Sequence, residues 1–134
     1  MSLAAYKKTI RESETPRQIE RRILSRVTHD LTQRGQGFDA AVDTKDRLAI
    51  LAGGLRDALS ENQQFWAALR YDLAEPANAM PDTLKASLIS IGLWVDRQTS
   101  ALMAGQGRLS GLIEVNVNIA AGLSGQAAPA VREV

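Results

Sequence analysis

Apolar residues recur along this chain at steps of three and four, the spacing that places side chains on one face of an α-helix. The first such stripe is Ile19, Ile23, Val27 and Leu31, with Leu24 beside it. Thr15-Pro16-Arg17-Gln18 opens it, with Thr15 suited to the N-cap, Pro16 to the first helical position and Gln18 to the third, the spacing of a capping box. Arg34 falls in the last turn and Gly35 just past it, which favours both the helix dipole and a C-cap. The pattern predicts a helix over 16–34. Residues 35–43 read as a loop, with Phe38 and Val42 expected to tuck onto the core.

From Asp43 or Thr44 a second helical pattern runs to about Ala74. Its seam is Leu48, Ala52, Leu55, Leu59, Asn62, Trp66, Leu69 and Leu73. Gly53-Gly54 weakens it, each glycine costing about 1 kcal/mol relative to alanine inside a helix. Ser60, with Gln63 three residues on, has the spacing of a fresh capping box. The pattern therefore predicts either one kinked helix or two short ones in tandem. Glu75-Pro76 ends it, because the residue before proline is pushed away from the α region.

Asn78 to Met80 make the turn, and Pro81 at the first helical position opens the next helix with Asp82 in its first turn. Its main stripe is Leu84, Leu88, Ile91, Val95 and Leu102. Ile89 and Leu93 lie on the opposite side and Trp94 on a flank. A helix apolar on more than one side is central in a bundle or has a partner. After Gly105-Gln106-Gly107 the last helix is predicted over about 109–121, with Gly122 as its stop. Its stripe is Leu109, Leu112, Ile113, Ile119, Ala120 and Leu123, with Asn116 in the middle. The alternation Val115-Asn116-Val117 is too brief to outweigh it. The expected fold is all-α: a single small domain over 15–123, with four to five helices packed as an irregular bundle. Residues 1–14 are expected to be a flexible N-terminal arm and 124–134 a disordered tail.

The chain has 134 residues, enough for one domain with its own core, and no cysteine. Disulfides, thiolate zinc sites and a thiol nucleophile are thereby excluded, and a reducing cytoplasm is the expected location. The first residues have no apolar segment of signal-peptide type, and the longest apolar run, Leu88 to Val95, is too short to span a bilayer. No membrane association is expected. Net charge is +1, but residues 1–34 carry eight Lys/Arg against four Asp/Glu, so a basic first segment precedes a mildly acidic remainder.

Catalytic chemistry is thinly provided. The only histidine, His29, stands beside the first apolar stripe with Asp30 as its only nearby carboxylate. The glycine pairs at 35/37 and 105/107 follow helices instead of opening them from a strand, so neither is a nucleotide fingerprint. Acidic residues are scattered singly, with no pair placed to share a proton or hold a metal. No enzymatic activity, cofactor or metal is expected. Arg17, Arg21, Arg22 and Arg26 could form an RNA-contacting helix face, but no aromatic interleaves them and Glu20 dilutes them. A solvated face is the plainer reading.

Asn62 and Asn116 stand out as amides inside apolar stripes. A buried amide finds hydrogen-bond partners or costs about 1–3 kcal/mol. They read first as pins of helix register and second as polar contacts to a partner. Trp66 and Trp94 divide the same way, between core filling and partner anchors. The Ile89/Leu93 face is the leading candidate for a partner surface, since an exposed apolar patch there would need an occupant.

Several of these residues fall into a pattern that resembles the FlaF family of alphaproteobacterial flagellum biogenesis. The matching pieces begin with Ala5-Tyr6 and the helix entry Thr15-Pro16-Arg17-Gln18-Ile19-Glu20. They continue through Ala58-Leu59, Glu61-Asn62, Trp66, Leu69 and Asp72-Leu73-Ala74, then Asn78, Pro81, Leu84 and Leu88-Ile89-Ser90. They end with Leu109, Leu112-Ile113-Glu114, Asn116, Ile119 and Gly122-Leu123. Thr15, where the family often has serine, and Asp96 beside Arg97 are small departures. The resemblance implies a cytoplasmic, non-enzymatic regulator that binds flagellin as a secretion chaperone, in concert with the translational regulator FlbT. It gives the candidate contacts Asn62, Trp66, Ile89, Leu93, Trp94 and Asn116 a partner in the amphipathic termini of flagellin. Direct RNA binding through the four arginines, or binding to FlbT alone, are the competing readings.

Overall fold

Thr15 starts the first helix of the computed structural model, which describes residues 15–123. Its hydroxyl accepts from the Gln18 amide at 3.1 Å, and its own amide donates to Gln18 Oε1 at 2.9 Å. This capping box launches α1, Pro16–Arg34, whose buried residues are Leu24, Val27, Thr28 and Leu31. Ile19 and Ile23, earlier on the stripe, are only half-buried. The expectations for residues 1–14 and 124–134 lie outside the described residues.

The long second pattern resolves into three pieces. Asp43 caps α2, Thr44–Ile50, by accepting from the Lys45 amide at 3.0 Å. A π-helical turn, Leu51–Leu55, follows, and then α3, Arg56–Ala74. The break falls at the glycines: Gly54 has φ 135° and ψ −19°, a conformation that a side chain resists. Ser60 starts nothing and lies inside α3. The widened turn also corrects the upstream seam. Leu51 and Leu55 are buried, whereas Leu48 and Ala52 face solvent and α2 buries no residue completely. The apolar stripe of α3 thus continues through the π turn along a different line from the one an unbroken helix would draw.

Pro81, expected at the first helical position, is the N-cap of α4, Asp82–Met103, so the helix begins one residue later than expected. Asn78 prepares this start. Its side-chain nitrogen donates to the Asp72 carboxylate at 3.2 Å, and its Oδ1 accepts from the Met80 amide at 2.9 Å. The buried line of α4 is Leu88, Gly92, Val95, Thr99 and Leu102, so Leu84 turns outward and Ile91 is half-buried. Two polar-looking positions complete that line for local reasons. Thr99 returns its hydroxyl to the Val95 carbonyl at 2.7 Å. Gly92 forms a notch for Arg70 of α3: a Cβ there would stand 3.0 Å from Arg70 Cδ. The Arg70 guanidinium continues across the notch to Asp96 at 3.0 Å. The last helix, α5, spans Leu109–Leu123 and passes through Gly122 without stopping.

The five helices pack as a small all-α bundle. α1 lies against α5 and α3, and α3 lies against α4. α4 and α5 approach each other only over a short stretch. One corner holds the connections together. Phe38 is fully buried and Val42 fully exposed, because Arg47 covers this loop where Val42 was expected to. The Arg47 guanidinium stands 4.5 Å above the Phe38 ring, and it donates to the carbonyls of Ala41 at 3.0 Å and Gly107 at 2.8 Å. Asp39 of the same loop accepts from the backbone amides of Leu109 at 2.6 Å and Ser110 at 2.9 Å. It therefore caps α5 from a loop far away in sequence.

Burial alone would raise the Asp39 carboxyl. The two amides, the Ser110 hydroxyl and nearby Arg108 outweigh it and hold the carboxyl below its usual range. Asp39→Ala is expected to lower stability by about 1–2 kcal/mol near pH 7, the size of a lost N-cap. Because the folded pKa is the lower one, this contribution is complete above the unfolded aspartate value of about 3.9 and is lost as pH falls through the folded value. Urea unfolding at neutral pH and at about pH 2 checks both statements: the gap between variant and wild type should narrow in acid.

Candidate partner-binding surface

α3 places Asn62 and Trp66 one turn apart on its buried stripe, and α5 brings Asn116 opposite both. The Trp66 indole Nε1 donates to Asn116 Oδ1 at 3.0 Å. Asn116 Nδ2 donates to Asn62 Oδ1 at 2.7 Å. All three residues are completely buried. Phe65 meets the Trp66 ring edge to face, with centroids 6.1 Å apart. One atom is left over: Asn62 Nδ2 is buried without a hydrogen-bond partner. Half of the candidate partner contacts thus lie inside the core, where they join α3 to α5 and present nothing to the outside in this conformation.

The other half reaches the surface, but not as one face. Leu93 is 46% exposed, on the side of α4 turned to solvent, next to exposed Ser90 and Arg97. Ile89 and Trp94 are half-buried and pack against the core. They do so on different flanks. Ile89 is on the flank that meets α3, where Arg70 crosses Gly92 and Asp96. Trp94 is on the flank that meets α5: a Cβ on Gly111 would stand 3.9 Å from the far edge of the indole. By helical spacing, Ile91 shares the Trp94 flank, while Val115 and Ile119 share the Gly111 side of α5. All of them are half-buried.

The result is an apolar seam between α4 and α5, with Trp94 bridging it where the two helices come close. Sequence reading did not isolate this seam. Ile91 and Ile119 were assigned to core stripes, and Val115 stood out only for its alternation with Val117. A groove of about 300 Å³ runs along the other side of α5, between Thr28 and His29 of α1 and Ile113 and Val117 of α5; Val117 is 53% exposed.

The basic face of α1 divides. Arg26 is engaged by Asp30 at 3.4 Å and by Glu61 of α3 at 3.1 Å. Arg21 and Arg22, with Gln18 and Ser25, border a cavity of about 340 Å³. Arg17 lines a separate and larger cleft of about 560 Å³, together with Glu20 and Asp72. Of the four arginines, Arg26 is the one paired with carboxylates of both α1 and α3. Among the described residues no group of three His, Asp or Glu is placed to hold a metal, and no helix is long and apolar enough to cross a membrane.

The described residues thus form a small all-α bundle with a chain of buried amides in its core. The family described as Flagellar protein FlaF matches residues 2–123, and the chain belongs to that family of flagellar proteins. No individually curated protein and no solved structure matches it.

Asn116 occupies the middle of the amide chain, so its loss strands two groups. Asn116→Ala leaves both the Trp66 N–H and Asn62 Oδ1 unpaired, for an expected loss of about 2–4 kcal/mol. Asn62→Ala strands only Asn116 Nδ2 and removes the amide hydrogen pair that has no partner, so its loss should be smaller. Denaturant midpoints at constant m-value test the ranking.

Proposed function

We propose that this protein is a non-enzymatic regulator of flagellum assembly that binds flagellin as a cytoplasmic secretion chaperone. The observation that carries the reading is the α4–α5 seam, where the Trp94 indole reaches Gly111 and half-buried Ile91, Val115 and Ile119 lie on the adjoining flanks of two helices that meet only briefly. A flagellin terminus that folds as an amphipathic helix on contact has the complementary shape and chemistry: apolar residues every third and fourth position, laid into a hydrophobic groove. Membership of the FlaF family supports the flagellar context. Covering those apolar helices would keep the export substrate from polymerising early. The occupancy of the chaperone would report flagellin level to translation, with FlbT as the coupled regulator. Catalysis plays no part in this scheme.

Trp94 is the anchor and Leu93 lies at the rim. The engagement of Arg26 by Asp30 and Glu61 weighs against direct recognition of message through α1.

Calorimetric titration with monomeric cognate flagellin at low and high salt tests the reading. Binding should persist at high salt with a negative heat-capacity change, the mark of apolar burial. Trp94→Ala should weaken it by about 30-fold or more, as expected for a buried aromatic hot spot, with the helical circular dichroism retained. Absence of binding at both salts would overturn flagellin recognition and make FlbT the partner to test. Affinity for flagellin message that falls steeply with salt would instead identify an RNA-binding protein.

A further inference from the structure

An unbroken α-helix would carry the buried stripe of α3 upstream from Leu55 through Ala52 to Leu48. The chain does otherwise. Leu51 and Leu55 are buried and Ile50 packs against the core, whereas Leu48 is 43% exposed and Ala52 faces solvent. The inward line upstream of Leu55 is thus displaced by one residue. The turn between α2 and α3 accounts for this. The Arg56 amide donates to the Leu51 carbonyl, five residues back, so the turn holds one residue more than an α turn. One residue is about 100° of rotation about a helix axis.

The two lines are close to interchangeable in apolar surface. One turns Ile50 and the Arg47 stem inward, and the other would turn Leu48 and Ala52 inward. What selects the observed line is local. Gly54 supplies a φ of 135°, which a residue with a Cβ resists. The Arg47 guanidinium covers the Phe38 ring and donates to the carbonyls of Gly105 at 3.3 Å and Gly107 at 2.8 Å. Ile50 lies over Gly37, where a Cβ would stand 3.8 Å from its Cδ1. No residue of α2 itself is buried, so its hold on the bundle is shallow. Gly53 needs neither special angle nor room: its φ is not positive, and a Cβ there would meet nothing within 4 Å.

We propose that the Leu51–Leu55 turn is a register switch. In its second state the turn tightens to an α turn and α2 rotates by about 100°. Leu48 and Ala52 then face the core, while Ile50 leaves Gly37, and Arg47 leaves Phe38 and the loop before α5. α2 is thereby a cover that can be withdrawn from the corner where these loops meet. The switch is independent of flagellin binding, and flagellin is absent from its test.

The chain has no cysteine, so a single introduced thiol reports its own exposure. Gly54→Ala penalises the observed backbone angle and leaves the α register free. In this background the maleimide reaction of Leu48→Cys should slow by about tenfold or more relative to the same cysteine beside Gly54, the factor that a strained backbone angle imposes. The reaction of Ile50→Cys should accelerate, with the helical circular dichroism retained. Deletion of Gly53 is the control. It removes the extra residue without turning α2, so Leu48→Cys should stay as reactive as in the undeleted chain. An unchanged Leu48→Cys rate in folded Gly54→Ala would overturn the proposal. Loss of helical structure in Gly54→Ala would do the same, because the turn would then be a fixed insertion with no second register to adopt. Protection of Leu48→Cys by the deletion would also overturn it, tracing the effect to loss of the wide turn and not to rotation of α2.

Discussion

A carboxamide cut off from water needs protein partners for both of its ends, and Asn116 has them. Its oxygen takes the Trp66 indole proton and its nitrogen reaches Asn62. The rest of the bundle depends on this arrangement, because it is directional where the surrounding leucine contacts are not. Leucine stripes on α3 and α5 would tolerate a slip of either helix by a turn. The amide chain is made in one register only. The unpaired hydrogens of Asn62 show that the network is kept although it leaves one group unsatisfied. That is the behaviour of a polar device that sets a position, as a seam asparagine does between coiled helices.

The second constraint acts at the corner. Asp39 caps α5, and Arg47 ties the loop before α2 to the loop before α5 while shielding Phe38. Together the two constraints hold α5 at its start and in its middle. Its apolar sides remain available, one toward α1 and one toward α4. The candidate binding seam therefore follows from the scaffold, which sets the flank of α5 that carries Gly111 beside Trp94 of α4.

Much of this was legible in the sequence. The cap at Thr15, the stop at Glu75-Pro76, the all-α class and the odd chemistry of Asn62 and Asn116 were readable because each rests on residues close together in the chain. What could not be read depends on distance or on a single backbone angle. Gly54 bends the second pattern and moves the buried line from Leu48 and Ala52 to Leu51. Nothing in the spacing tells which of two adjacent glycines takes the positive φ. Asp39 and Arg47 looked like ordinary loop and surface charges, because their partners stand some sixty to seventy residues away. Thr99 looked polar, yet it is a core residue that hydrogen-bonds within its own helix. The family pattern is instructive in the same way. Asn62, Trp66, Asn116, Asp72 and Asn78 all turn out to hold elements together, so the motif identifies the scaffold, while of the apolar seam it includes Ile119 but not Ile91, Trp94 or Val115.

The Arg70 side chain lying in the Gly92 notch acts as a pawl. With its stem seated across α4 and its tip fixed to Asp96, α3 and α4 cannot slide past one another without lifting the arginine out of the notch. Among the described residues no ion pair joins α4 to α5. The catch fixes α3 and α4 against shear along their common face. One missing side chain at position 92 thus gives α3 and α4 a single seating.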